Sequence, residues 1–391
     1  MIRGDGAASP QVDERLTDGL RYTETIDESG RWRSRRCCLH LDGEEEPVSS
    51  LVLHSLSVRF GATALPAEGV GGVQTRPDHQ RRGYNERLIT RAVRGAKERV
   101  PAVFLYGIER YYSRFGFATC LAESSIDLWV RRTKGLSAPA DLTVREADEE
   151  DLPEMIALYN ELHAARPWTL VRDKSMIASL RHRTPWKSRP DVLLFERSGS
   201  AVAYAAIAHY PFGWIGRAFT VLEAGARTLA DAHALLAEAS RRCRELDLEQ
   251  LTIHEPCDGT IGIACRALGC TVTEHTAPDG GGMGVLLDRQ AVVDGLRGEL
   301  ARRAGTPTAA PHGLPATDRL LAPLGSGELV RDDATLLQLL TGYRSWDEAL
   351  LLGEIERGWE SSDPDGLCRR LFPGGSTSAL PSPYAHRLDR Y

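Results

Sequence analysis

Lysine is nearly missing from this chain. Of its 48 basic residues only Lys97, Lys134, Lys174 and Lys187 are lysines and 44 are arginines, a bias that reads as the base composition of a GC-rich coding sequence and gains meaning only where position adds it. Net positive charge is absent too: 54 acidic residues leave −6 at neutral pH. That excludes wholesale polyanion binding, and nucleic acid is not an expected partner. None of the eight cysteines stands in a C-x-x-C pair, and the nearest approach to ligand spacing is Cys265 with Cys270. Reduced, buried thiols follow rather than a disulfide framework or a metal site. His209, His254 and His275 are too widely spaced to suggest a metal either. No apolar run approaches the length of a membrane span, and Met1 to Leu16 has no apolar leader core. The expectation is a cytoplasmic protein with no membrane contact.

What is present suffices for two or three domains: 391 residues, 42% of them hydrophobic. A polar, Pro/Gly-bearing break spans Arg132 to Asp141, and a Pro/Ala/Thr-rich stretch from Ala304 to Asp318 reads as a linker or a long surface loop. The first region predicts strands at Trp32 to Leu41, Val48 to Phe60 and Gly69 to Thr75, a helix over Asn85 to Lys97 and a strand at Ala102 to Tyr106. The second predicts a strand at Leu142 to Arg145 and a helix marked by Leu152, Met155, Ile156, Tyr159 and Leu162. Strands at Val192 to Phe195, Val202 to His209 and Phe219 to Glu223 come next, then a helix over Leu229 to Leu246 and a strand at Gln250 to His254. Two related α+β units in tandem are implied. After Leu287 the pattern is helical: Ala291 to Arg303, Asp333 to Leu340, Ser345 to Leu352 and Asp365 to Leu371.

Chemistry concentrates in Val70 to Phe117. A strand ends at Thr75, and Gln80-Arg81-Arg82-Gly83-Tyr84-Asn85 then leads straight into an amphipathic helix, whose free amides and dipole favour an anion such as a pyrophosphate. From Arg76 to Arg114 ten basic residues face four acidic ones, a local +6 that leaves −12 on the rest of the chain. A concentrated positive site in an acidic body suits an anionic cofactor. A buried strand and the element Tyr111-Tyr112-Ser113-Arg114-Phe115-Gly116-Phe117 follow.

The Q/R-x-x-G-x-G/A loop after a strand, with an aromatic-x-R-F-G-F element some thirty residues on, resembles the GNAT superfamily of N-acetyltransferases. More narrowly, V-x-T-x-P-x-x-x-R-R-G with Y-x-R-F-G-F, a second GNAT-like half and a smaller last region resemble the tandem acetyltransferases of the enhanced intracellular survival (Eis) type. The resemblance implies an α+β chain of tandem GNAT domains: a catalytic one over 1–135, a degenerate one over 140–287, and over 288–391 a partly helical, sterol-carrier-like domain with a docking tail. It implies acetyl-CoA as cosubstrate and no metal. Val73, Gln74 and Thr75 would bind the pantetheine arm, Arg81, Arg82, Gly83, Tyr84 and Asn85 the pyrophosphate, and Gly107 and Ile108 the thioester end. Asn85 departs from the pattern, which prefers Gly or Ala there. Tyr112 matches the general acid, with Tyr111 its neighbouring competitor. The carboxylate of the terminal Tyr391 matches the base, with Glu109, Asp78 and His54 as alternatives.

In the second unit AGARTLADAHALL follows the equivalent strand, without the paired arginines or the loop, so no cofactor cradle is expected there. The roughly thirty residues before the first clear strand leave the family's two N-terminal helices short or altered. The activity implied is acetyl transfer to an amine of a cationic small molecule, aminoglycoside-like or a peptide natural product. Alternatives are a longer-chain N-acyltransferase of secondary metabolism, a non-catalytic acyl-CoA-binding regulator, or acetylation of protein lysines. Assembly as a homo-oligomer is also implied.

Overall fold

The computed structural model describes residues 12–16, 19–28, 33–164, 166, 168–173, 190–208, 219–277, 279–304, 316–355 and 366–372. Tyr391, Tyr384 and His209 lie outside these residues, as does most of the Ala304 to Asp318 stretch.

Strands β1 (Val12–Arg15), β2 (Leu20–Asp27), β3 (Ser34–Leu41), β4 (Ser49–Phe60) and β5 (Thr63–Thr75) form an antiparallel meander, followed by helix α1 (Tyr84–Ala96), β6 (Ala102–Gly107), β7 (Ala118–Leu121) and β8 (Glu123–Trp129). The second half runs β9 (Leu142–Glu146), α2 (Leu152–Leu162), β10 (Asp191–Arg197), β11 (Ser200–Ala208), β12 (Phe219–Ala226), α3 (Leu229–Glu245), β13 (Gln250–Ile253), α4 (Thr260–Leu268), β14 (Thr271–His275) and β15 (Gly281–Leu286). Beyond β15 the described residues are helical: α5 (Arg289–Gly295), α6 (Arg297–Ala304), α7 (Ala316–Ser326), α8 (Asp333–Thr341), α9 (Trp346–Leu351) and α10 (Leu367–Leu371).

Two sheets result, ordered β1-β2-β3-β4-β5-β6-β15-β7 and β14-β8-β13-β12-β11-β10-β9. Their composition does not follow the chain. Only Ala122 separates β7 from β8, yet β8 pairs with β13 and β14 in the second sheet. In return β15 crosses to the first sheet and inserts between β6 and β7, pairing Gly282 with Tyr106 on one side and with Leu121 on the other. Each sheet is completed by a strand from the other half.

The faces of the first sheet are covered from different parts of the chain. Alternation in β4 sends Leu51 and Leu53 to one side, where with Val70 and Leu105 they meet Leu88, Ile89, Ala92 and Ala96 of α1. Leu56, Val58 and Phe60 point the other way and join Leu65, Ala67 and Phe104 in a cluster with Val292, Leu296, Leu324, Leu337 and Leu340 of the C-terminal helices. Gln338 Nε2 donates to the Thr119 carbonyl of β7 at 2.8 Å, and Trp168 Nε1 donates to the Leu340 carbonyl at 3.0 Å. The described C-terminal helices thus share a core with the first sheet. Among the described residues before β4 there is no helix. Within the stretch read as preceding the first clear strand lie β1 and β2.

Among the described residues no helix is long and apolar enough to cross a membrane.

Candidate active site

β5 and β6 are the parallel neighbours that bracket the site. They pair at Glu68 with Val103, Gly69 with Phe104 and Val70 with Leu105, and there the ladder ends although both strands continue. The cause lies in β5. Its register against β4 passes from Val52 opposite Gly71 to Ser50 opposite Gln74, so Gly72 and Val73 together face Leu51. Gly72 takes φ +58° to make this bulge, and a bulge bends its strand. β5 turns away from β6 and opens a wedge bounded by Val73, Gln74 and Thr75 on one side and Gly107 on the other. The Ser49 hydroxyl pins the outer wall by donating to the Gln74 carbonyl at 3.0 Å, and Gln74 Nε2 donates to Ser50 Oγ at 3.0 Å.

From Thr75 the chain makes a short turn at Pro77–His79 and passes Arg81 at φ +64° and Gly83 at φ +78° before α1 begins. A Cβ on Gly83 would meet nothing within 4 Å, so the glycine is required for its left-handed backbone and not for space. It is also the N-cap residue, and no side chain caps the helix. The first-turn amides therefore face outward with the positive end of the dipole behind them. A cleft of about 700 Å³ runs on from there along α1, lined by Arg15, Arg82, Arg87, Arg91 and Arg94 against Glu14 and Glu86. Arg15 is supplied by β1, which no motif signals.

At the far wall Gly107 ends β6. A Cβ there would lie 2.6 Å from Met283 Sδ and 2.9 Å from both Leu105 Cδ1 and Tyr112 Cδ2, so Tyr112 packs directly on the backbone of the wedge. Ile108, the next residue, is 68% exposed. Tyr112 is 8% exposed, and its ring meets those of Tyr111 (4.9 Å, edge-to-face), Phe115 and Phe117. Burial, and secondarily the neighbouring Tyr111, push its hydroxyl pKa above the ordinary phenol value. The group stays protonated at neutral pH, the state a proton donor needs. Tyr111 is committed elsewhere: its hydroxyl accepts a 2.6 Å hydrogen bond from Asn85 Nδ2. The departure at Asn85 thus turns its amide toward the aromatic segment.

The alternative bases separate by geometry. Asp78 is held by Arg76 at 2.9 Å, which keeps its carboxyl below the usual range, and it also contacts His79. Glu109 is 64% exposed and lies 3.6 Å from Arg110. His54 stands on β4 opposite Gly69, one residue short of the wedge, with Nδ1 2.8 Å from Ser34 Oγ.

The second unit repeats this frame with a carboxyl between its strands, beside a cavity of about 250 Å³ lined by His163, Arg166, Ala224, Gly225 and Glu255. β12 and β13 pair in parallel up to Val221 with Ile253, the counterpart of Val70 with Leu105. Three residues on along β12 is Ala224, matching Val73, and two on from Ile253 is Glu255, matching Gly107. Glu255 Oε1 accepts the Ala224 amide at 2.7 Å, so a carboxyl bridges the two strands where the first unit has only the backbone of Gly107. Burial raises the pKa of Glu255 well above the carboxylate range, and adjacent Glu223 adds to the rise. Glu223 itself is kept ionised by Arg172, whose two NH groups donate at 2.6 and 2.7 Å. The following helix α3 is capped: Thr228 Oγ1 accepts the Asp231 amide and Asp231 Oδ2 accepts the Thr228 amide, a capping box. Glu255 lies in no motif and becomes visible only once the two registers are compared.

Comparison with known proteins agrees with this frame. Residues 17–120 match the family model of the acetyltransferase (GNAT) domain. No curated protein sequence matches significantly. Among solved structures, a GCN5-related N-acetyltransferase from Anabaena variabilis superposes with a TM-score of 0.64 at 14% identity, covering 91% of this chain and 89% of that one. Eis1 from Mycobacterium abscessus gives 0.60 at 16% identity, covering 90% and 89%. A probable N-acyltransferase from Enterococcus faecalis gives 0.54 at 14% identity, covering 67% of this chain and 65% of that chain. At these identities the structures speak to fold, and the fold is the tandem one. Residues 17–120 thus carry the match to the acetyltransferase (GNAT) domain, within a chain that over nine-tenths of its length has the fold of the GCN5-related N-acetyltransferases.

Proposed function

We propose that the first unit transfers an acetyl group from acetyl-CoA to an amine of a cationic small molecule by direct attack on the thioester. The observation that carries this is the contrast between the units: a wedge and an uncapped helix start in the first, a carboxyl and a capping box at both places in the second. The α1 amides with Arg81 and Arg82 receive the pyrophosphate, the basic cleft along α1 takes the nucleotide end, and the β5 edge from Val73 to Thr75 holds the pantetheine arm.

The neutral amine nitrogen attacks the carbonyl carbon, the carbon–sulfur bond breaks, and the amine proton leaves to a base. Tyr112 donates a proton to the departing thiolate. For the base, the candidates among the described residues are His54, which stands opposite Gly69 on β4, Glu109 and Asp78. The acidic remainder of the chain, −12 outside the Arg76 to Arg114 segment, favours a cationic acceptor by long-range attraction. The test is thiol release from acetyl-CoA over a panel of polyamines, aminoglycosides and lysine peptides, with longer acyl-CoA donors in parallel. Turnover on polyamines that falls as ionic strength rises is expected. Cofactor binding with no turnover on any amine would refute the reading.

A further inference from the structure

Two contacts cross from the first turn of α1 to the segment carrying Tyr112. One is the 2.6 Å hydrogen bond from Asn85 Nδ2 to the Tyr111 hydroxyl. The other runs through Arg114, which lies over the Tyr111 ring at 4.2 Å, donates to the Tyr111 carbonyl at 3.1 Å and reaches Glu86 at 3.9 Å. Tyr111 stands between α1 and Tyr112, meeting the latter edge-to-face at an interplanar angle of 82°. The other rings against Tyr112, those of Phe115 and Phe117, come from its own segment. Tyr111 is therefore the ring that ties the placement of Tyr112 to the helix, and an edge-to-face pair constrains orientation as well as distance.

The helix end from which this tie starts carries no side-chain cap. Its first turn is the part of α1 least constrained by its own hydrogen bonds, and an anion on those amides would fix it.

We propose that Asn85 and Tyr111 form a strut that transmits occupancy of the α1 N-terminus to the placement of Tyr112, so that both are positioning residues for acetyl transfer. The proposal rests on the reading of the first unit as an acetyl-CoA site. It makes a bound pyrophosphate act on the rate of the chemical step as well as on affinity. The acid is then fully aligned only when the intact cosubstrate is seated, and a donor lacking the nucleotide end reacts with Tyr112 less well held.

Two donors separate this from a merely structural role. With acetyl-CoA, Asn85→Ala and Tyr111→Phe should each lower kcat about five- to tenfold, the scale of one lost hydrogen bond. With S-acetylpantetheine, which has no pyrophosphate, kcat should stay within about twofold of the wild type. An equal fall with both donors would overturn the strut. A second measurement needs no turnover: hydrogen exchange over residues 108–117 in the full chain, with and without saturating CoA. CoA should slow exchange there in the wild type and leave it unchanged in Asn85→Ala, whereas equal protection in both would overturn the proposal. If the wild type turns over neither donor while CoA protects the segment in the wild type and not in Asn85→Ala, acetyl transfer fails and the link from the helix start to the Tyr112 segment stands.

Discussion

Replacing Gly107 by alanine adds one carbon at the most crowded point of the site. The new Cβ lies 2.6 Å from Met283 Sδ and 2.9 Å from Leu105 Cδ1 and Tyr112 Cδ2, against about 3.5–4 Å for ordinary carbon contacts. Met283 and the tip of Leu105 are flexible and can adapt by rotation. The Tyr112 ring cannot rotate freely among three other aromatic rings and must move bodily by roughly 0.5–1 Å to restore contact distance. Overpacking of this kind costs about 1–3 kcal/mol of stability. A catalytic group misplaced by about 1 Å costs on the order of 10²-fold in rate. The expected result is a kcat lowered by about 10²-fold, a urea midpoint lowered in line with about 1–3 kcal/mol, and a CoA dissociation constant within a few-fold of the wild type. The assays are thiol release, urea titration and calorimetric titration with CoA. Gly107→Ala with wild-type kcat would refute the placement of Tyr112 as the acid.

Three further outcomes follow from the same geometry. Gly83→Ala places a Cβ at φ +78°, costs about 1–2 kcal/mol, and should raise the KM for acetyl-CoA more than it lowers kcat. Tyr112→Phe should lower kcat by about 10²- to 10⁴-fold. In the wild type the acid is active while protonated, so its rate limb should fall only as pH rises through a value above the ordinary phenol pKa of about 10, and the Tyr112→Phe variant should lack that limb. Glu255, whose folded pKa is raised, keeps a proton that the unfolded chain gives up, so its stabilisation is complete at low pH and is lost as pH rises from the unfolded carboxylate value to the folded one, at up to about 1.4 kcal/mol per pH unit. Glu255→Gln can still accept the Ala224 amide and should gain stability over the wild type as pH rises, seen as urea midpoints that diverge as pH rises above about 4.

Local rules make parts of this molecule readable and tertiary pairing hides others. β4, β5, α1 and β6 are legible because alternation and a four-residue spacing at Leu88, Ala92 and Ala96 mark one buried face each. The caps at Asp332 and Ser345, the latter boxed with Glu348, fix the starts of α8 and α9 from sequence. β15 is obscured because GGMGVL carries three glycines, a composition depleted in strands. Its glycines serve close approach, since a Cβ on Gly282 would lie 2.7 Å from Leu121 Cβ. β1 and β2 are obscured for another reason, that the resemblance places helices there. In the site, Gly83, Asn85 and Tyr112 stand in motifs, while the bulge at Gly72 and the carboxyl of Glu255 depend on which strands lie side by side, and no short-range pattern encodes that.

The strand exchange also sets a timetable for synthesis. β7 emerges from the ribosome long before β15, which must lie between it and β6, and about 160 residues separate Leu121 from Gly281. At about 5–20 residues per second the first sheet waits roughly 10–30 s with a gap beside β6, its unpaired edge open to wrong partners. Through that interval β8 is likewise made before β13 and β14 exist to receive it. The nascent chain therefore cannot finish its first half and then add the rest, and a gene cut at the polar Arg132 to Asp141 segment would yield two fragments, each carrying the strand the other lacks.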